Sequence, residues 1–334
     1  LPSLVDDCPE AEAWIDTAVA AHQATGIYGR LAGSVVWSDH HGADGKAILP
    51  LDPAELVAKI NVEAFPLLHE HDPGRPIGKV LEAAHFKTRT GQRFVAAILG
   101  FYDPSSLHSF AALGLDGNPL GDVPAILPAL PTDFRITLAA DPREVSAATM
   151  AVIVEGLEAP IEFEERSHNA ADAVSQLIVI GLPFALLVWN PLITTLGQEA
   201  GKDLYKQGRK ALLSILERVS ILDNPLVEIQ SFQHGCFVSF LIRGREEGMH
   251  VAANAALPEA TARAHKLIES VIEAGEKPVR LVYEYNRVSA RWSASFLELA
   301  DGRLVSDTLA LIAAELLPTG LSLGLTIATR LTED

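Results

Sequence analysis

The sequence predicts an α+β protein: a mostly β N-terminal region, then an α+β region with an antiparallel sheet and a long amphipathic helix. Three observations carry this. Apolar and polar residues alternate through 28–103 between Gly- and Pro-rich turns, the pattern of short half-buried strands. Leu192, Leu196, Ala200, Leu204, Gly208, Ala211, Leu212, Ile215 and Val219 follow helical spacing, which one helix over about 191–220 explains. Two stretches, 225–244 and 279–307, read as hairpins.

Residues 9–24 predict a helix with Trp14, Ile15, Ala18 and Val19 on one face. "YGRLAGSVVWSD" (28–39) is strand-like, "DHHGADG" (39–45) is a turn, and "KAILPL" returns from it. "PAELVAKIN" (53–61) suits a short helix. "EAFPLLHEH", "IGKVLEAAHF" and "RFVAAILGFYD" then read as strands separated by "DPGRP" and "KTRTGQ". Residues 1–116 are therefore expected to form one mostly β domain.

Four prolines in 116–131 argue against a helix or central strand there, and 117–132 is expected to be a linker. The next unit, 133–222, is expected to be largely helical, with one strand at "DFRITLAA" and a helix at 143–159. It contains an uncharged run from Ala173 to Gln198. The centre of that run, 177–196, averages about 2 in hydropathy, enough for a membrane-spanning helix. A buried alternative fits as well: "QLIVIG" and "FALLVW" as strands, then Asn190 capping a helix with Pro191 at its first position. Pro183 and Asn190 inside the run favour burial. The last unit, 223–334, combines the two hairpins, a helix with Ala262, His265, Ile268 and Ile272 on one face, a short helix "TLALIAAELL" and a closing strand "GLSLGLTIATRL".

Composition narrows the function. A net charge of −17 argues against nucleic-acid binding, which relies on Lys and Arg neutralising phosphates. Cys8 and Cys236 are the only cysteines and lie far apart, so neither a disulfide framework nor a cysteine zinc site is expected. With no basic and apolar signal pattern at residues 1–14, a reducing, cytoplasmic setting is expected, with membrane contact through 174–197 still open. The hydrophobic fraction of 49% and mean hydropathy of +0.21 are high for a soluble chain, so the apolar run needs a cover. No phosphate-binding GxxxxGK motif occurs.

The stretch "LLHEHDPGRPIGKV" (67–80) holds the residues best suited to chemistry. In a regular strand His69 and His71 would share one face, with Glu70 and Asp72 on the other. Two such histidines can supply a base or ligate a metal, and Asp39, His40, His41 and Asp44 lie nearby in sequence. The run is similar to the HxHxDH pattern of metallo-β-lactamase-like hydrolases, but no histidine follows Asp72, and no metal or cofactor is predicted. His234 and Cys236 share parity and could imitate a Cys-His pair, although a buried structural thiol is the simpler role for Cys236. Trp292, Tyr283 and Tyr285 are expected in cross-strand packing.

Three blocks in order, "SDHHGADGKAILPLDP", "LLHEHDPGRPIGKV" and "GQRFVAAILGFYD", resemble the prohead (capsid-maturation) proteases of tailed phages, whose β-barrel is related to herpesvirus assemblins. The resemblance covers about residues 28–103. It implies an assemblin-like barrel, with His71 in the place of the family's histidine base. The family's serine lies in a Gly-Leu-Ser-Ile-Gly-like strand after a helix, and the nearest match is "GLSLG" with Ser322. On that reading 117–305 is an insertion; otherwise the nucleophile is lost and "GLSLGL" is an ordinary strand. A serine needs a base within about 3 Å and a group that fixes the base's tautomer. His85, His69 or Asp72 are the candidates for that last role. The function this resemblance implies is a serine peptidase or an inactive relative of one, acting on a protein substrate, with self-processing in keeping with the family; the other reading is a non-enzymatic interaction or assembly role. The second reading uses a protein partner, a membrane or a second copy of the chain.

Overall fold

The computed structural model describes residues 4–41, 52–62, 65–103, 105, 107–120, 134–165, 175–188 and 199–308. Helix α1 (Pro9–Gln23) starts with proline, whose missing amide costs nothing at a helix start, and with Glu10 and Glu12 facing the positive end of the dipole. Strands β1 (Tyr28–Ser38), β2 (Phe65–Leu68), β3 (Pro76–Lys87) and β4 (Arg93–Tyr102) form an antiparallel sheet in the order β1-β4-β3-β2. Among the described residues this sheet is open. Its central strand β4 is buried along nearly its whole length, which is why "RFVAAILGFY" is continuously apolar rather than alternating. Helix α2 (Pro53–Val62) covers one face, where Ile60 packs with Leu67, Ala83, Leu99 and Phe101. Helix α1 covers part of the other face.

Among the described residues the second sheet has eight strands. They are β5 (Ile136–Ala140), β6 (Ile161–Glu165), β7 (Gln176–Gly181), β8 (Pro225–Gln233), β9 (Cys236–Arg243), β10 (Pro278–Asn286), β11 (Arg291–Leu299) and β12 (Leu304–Val305). Their order is β12-β11-β10-β9-β8-β7-β5-β6. The expected hairpins β8–β9 and β10–β11 are antiparallel. The sheet as a whole is mixed, however, because β5–β6, β7–β8 and β9–β10 are parallel pairs. Each parallel pair needs a long crossover, and a helix supplies it. The crossovers hold α3 (Ala147–Val154), then α4 (Phe184–Val188) with α5 (Glu199–Arg218), and α6 (Glu247–Glu273). Ile153, Leu186, Leu187, Leu212, Ile215, Leu257 and Ile268 of these helices share one core with Ile178, Ile229, Phe240 and Tyr283 of the sheet.

Two expectations from sequence do not hold. The segment 133–222 is not a separate helical unit, since β5, β6 and β7 belong to the same sheet as β8–β12. The uncharged run does not form two strands. Its first half is β7, inserted between β5 and β8 with Leu177, Ile178, Val179 and Ile180 all buried. A strand covered on both faces needs apolar residues at every position, which explains the absence of charge there. "FALLV" is helix α4: Pro183 fixes its backbone angle ahead of it, and Leu186 N–H donates to Pro183 O at 2.9 Å. Helix α4 lies close against α5, where a Cβ on Gly208 would fall 2.7 Å from Leu186 Cδ1. No helix among the described residues is long and apolar enough to cross a membrane. Asn190 and Pro191 lie outside the described residues, as do the expected short helix and closing strand near the C-terminus.

The N-terminal sheet packs on the face of the large sheet opposite the helices. Tyr28, Leu31, Ile98 and Tyr102 meet Leu241, Val282, Phe296 and Leu304 in one cluster. The layers in order are helices α3–α6, the eight-stranded sheet, the four-stranded sheet and, on its outer face, α2.

Candidate functional site

The motif 67–80 is built as a reversal, and the expected strand stops at Leu68. His69–His71 form a single 3-10 turn in which Glu70 has φ 50 and ψ 36. Asp72 N–H donates to His69 O, Arg75 N–H to Asp72 O and His69 N–H to Arg75 O, each at 2.9 Å. The alternation that would have placed His69 and His71 on one strand face therefore does not apply. Gly74 N–H donates to Asp72 Oδ1 at 2.9 Å, which makes Asp72 the internal anchor of the turn.

Asp72 is also the anchor between layers. Arg243 of β9 donates to it twice, Nη1 to Oδ2 at 2.5 Å and Nη2 to Oδ1 at 2.9 Å. Arg243 Nε donates in addition to Glu284 Oε1 of β10 at 2.5 Å. Burial opposes the charge on Arg243, but the hydrogen bond to Asp72 and the charge of Glu284 outweigh it and hold its pKa above the ordinary value. Beside this clamp, Arg280 Nη2 donates to Pro73 O at 3.3 Å and lies 3.6 Å from Glu228 Oε1. Glu228 accepts from Ser239 Oγ at 2.6 Å. Lys79 of β3 pairs with Glu298 of β11, both buried. Gly74 seats the turn on β9: a Cβ there would fall 2.6 Å from Arg243 Nη2 and 2.7 Å from Leu241 Cδ1.

The residues suited to a peptidase are not gathered by the described structure. His71 is the last residue of the 3-10 turn. His85 is exposed near the far end of β3, about 30 Å along the strand from Pro76 and the turn, so the two histidines do not meet. Asp72 has both oxygens committed to Arg243. His69 Nδ1 lies 3.8 Å from Glu70 Oε2. Ser322 and Asp44 lie outside the described residues. His40 and His41 are exposed, while Asp39 Oδ2 accepts from Arg93 N–H at 3.0 Å. Trp292 is buried against Tyr285, its cross-strand partner, and donates to Ala253 O at 3.0 Å.

A second concentration of functional groups lies at the β8–β9 tip. His234 (φ 50) and Gly235 (φ 79) form the two-residue turn, between the paired Gln233 and Cys236. Phe232 and Phe237 face each other across the hairpin with ring centroids 4.9 Å apart, yet are 55% and 54% exposed. The His234 ring lies 5.0 Å from the ring of His265 on α6, and Phe184 lies 5.7 Å from His265 on another side. Burial, and then the nearby His234 and Lys266, lower the His265 pKa against the opposing pull of Glu269. The Cys-His pairing suggested by parity is not made. Cys236 is buried, its thiol donates to Phe237 O at 3.5 Å, and burial with the charge of Glu298 pushes its pKa up to about 12. Such a thiol is not a nucleophile near neutral pH.

No family model matches the chain, and neither a curated protein nor a solved structure matches it. The functional reading therefore rests on geometry. Sequence reasoning missed Arg243, Glu284, Arg280, Glu228, Lys79 and Glu298. Their signal was present: each is a charge set among apolar residues in a strand, as in "PLVEIQ", "VRLVYEY" and "SFLEL". A buried charge in a strand requires a partner.

Proposed function

We propose that this chain is a non-catalytic protein-binding module that engages its partner with the β8–β9 tip. The observation that carries this is the pair Phe232 and Phe237, two rings in contact at a tilt of 57° and each more than half exposed at the end of a tight hairpin. Rigid aromatic side chains offer large contact area at a small cost in conformational entropy, and they dominate binding energy at protein interfaces. Depressions elsewhere suit small molecules poorly. The one lined by Thr25, Tyr102, His108 and Arg303 measures about 120 Å³, as does one beside α5, against roughly 300–1,000 Å³ for ordinary ligand pockets.

The peptidase reading needs His71 to be oriented by a neighbour. Asp72 is taken by Arg243 and His85 is distant, which weighs against it. The test uses a photo-crosslinking amino acid at position 232 or 237 in cells of the source organism, together with a serine-reactive phosphonate probe on the purified chain. Discrete protein adducts at both positions, absent when the crosslinker is moved to exposed His85, with no phosphonate labelling, are expected. Phosphonate labelling that disappears in Ser322→Ala would overturn this reading in favour of the peptidase.

A further inference from the structure

His250 is fully buried, and the protein-binding role does not use it. It sits in the first two turns of α6, roughly 22 Å along the helix from His265, which packs against the β8–β9 tip. Its Nδ1 lies 2.6 Å from Leu216 O, and its Nε2 lies 2.8 Å from Gly244 O. Leu216 is in the last turn of α5, and Gly244 is in the loop between β9 and α6. Both partners are backbone carbonyls, which only accept, and no turning of a side-chain amide alters that. A neutral imidazole has one N–H and one lone pair, so it satisfies one carbonyl and turns its lone pair on the other. The imidazolium donates to both.

We propose that the folded protein holds His250 as the imidazolium and that this ring is a pH-released clasp on the first half of α6. With two N–H groups it pins α6 to the end of α5 and to the loop after β9. Loss of one proton leaves a buried carbonyl facing a lone pair instead of a donor, and the clasp opens. The segment it frees has a defined end. Pro258 lies inside α6 and has no N–H, so Asn254 O lacks its helical donor. Arg209 Nη2 donates to that carbonyl at 3.2 Å, and Trp292 Nε1 donates to Ala253 O at 3.0 Å. The helical ladder is thus interrupted at Pro258, and residues 247–257 are held by side chains of α5 and β11 and by His250 itself. The charged groups flanking the ring are Glu217 and Arg218 on α5, Arg243 and Arg245 beside Gly244, Glu246 and Glu247 at the start of α6, and Arg287 of the β10–β11 turn. Arg218 donates to Ile153 O, Arg243 to Asp72 and Glu284, and Arg287 to Glu246. Among the described residues no carboxylate forms an ion pair with His250. The carbonyl at the negative end of α5 favours its charge, and the positive end of α6 opposes it. The clasp contributes its full stability in acid, where the imidazole of the unfolded chain is charged as well. That contribution is lost as pH rises and the buried ring gives up its proton.

The test uses the full chain with ¹⁵N-labelled histidine. Near pH 7 an ordinary histidine is largely neutral, whereas NMR of the His250 ring is expected to show both nitrogens protonated. Hydrogen exchange read by mass spectrometry from about pH 6 to 9, corrected for the intrinsic pH dependence of amide exchange, supplies the second measurement. Opening of 247–257 is expected to grow with pH, by up to about tenfold per pH unit, the limit for one proton, while 259–271 keeps its protection. His250→Gln should open 247–257 at every pH, because one carboxamide nitrogen does not reach both carbonyls. His85→Gln, at an exposed position on β3, should respond as the wild type does. If His250→Gln does not fold, the ring is assigned in the wild type through its contact with Leu216, and its protonation decides alone. A single protonated ring nitrogen in the folded wild type, opening of 247–257 that does not change with pH, or loss of the response in His85→Gln would each overturn the proposal.

Discussion

The carboxylate of Asp72 and the guanidinium of Arg243, 171 residues apart in sequence, meet through two parallel hydrogen bonds at 2.5 and 2.9 Å. They join the turn after β2 to the middle of the large sheet. Replacing Asp72 leaves the half-buried Arg243 with Glu284 as its remaining carboxylate, and replacing Arg243 leaves buried Asp72 with the more exposed Arg75 at 3.4 Å. Asp72→Asn is expected to lower the free energy of unfolding by about 2–4 kcal/mol in urea titration. Arg243→Met should cost a similar amount, and the double variant less than the sum. Additive losses would show that the two residues act independently.

Gly74 and Gly248 give opposite expectations for the same substitution. A methyl group at Gly74 meets Arg243 and Leu241, so Gly74→Ala should destabilise by about 1–3 kcal/mol. Gly248 is exposed near the start of α6, with no atom within 4 Å of an added Cβ. Gly248→Ala should stabilise by about 0.5–1 kcal/mol through helix propensity. Thermal melting of the two variants side by side checks both signs.

Leu187 is fully buried in the core between the helices and the large sheet. Leu187→Ala should cost about 2–5 kcal/mol through the cavity it leaves. Leu187→Asp adds an unpaired buried charge and should abolish the folded state, seen as loss of near-UV circular dichroism. A folded Leu187→Asp protein would contradict the burial of the apolar run.

Cys236 makes the protein sensitive to alkali. Its thiol keeps its proton up to about pH 12 when folded, whereas the unfolded chain releases it near the ordinary value of 9.0. The folded state thus holds more protons above pH 9, so this contribution to stability is intact at pH 8 and declines as pH rises toward 12. Between pH 9 and 10 the loss from this group is about 1 kcal/mol. Cys236→Ala should flatten that interval by the same amount in urea titrations, and an unchanged slope would exclude the thiol as its source.

Much of the fold was legible in the residues. The strand periods at 28–38, 76–87 and 93–102, the helix at 9–23 and both C-terminal hairpins appear where local patterns place them. What failed depended on contacts distant in sequence. "HEH" alternates like a strand, but the reversal at Asp72–Arg75 and the pull of Arg243 make it a turn. "FALLV" has strand composition, but Pro183 and the space beside Gly208 make it a helix. Parallel pairing is also invisible locally, because β7 and β8 are neighbours only after α4 and α5 have packed. The aromatic pair at 232 and 237 was legible as strand residues, though its exposure depends on where the N-terminal sheet ends.

The layered arrangement has a consequence for how the chain is made. The N-terminal sheet emerges first, with Asp72 and Lys79 presented toward a surface that does not yet exist. At ordinary synthesis rates the 171 residues separating Asp72 from Arg243 take roughly 9–34 s to add. Glu298, the partner of Lys79, follows later still. Throughout that interval Tyr28, Leu31, Ile98 and Tyr102 lack the strands that cover them in the finished protein. A nascent chain stalled before β9 should therefore be a strong client for chaperones that hold exposed apolar faces, and release should coincide with emergence of the β10–β11 hairpin from the ribosome.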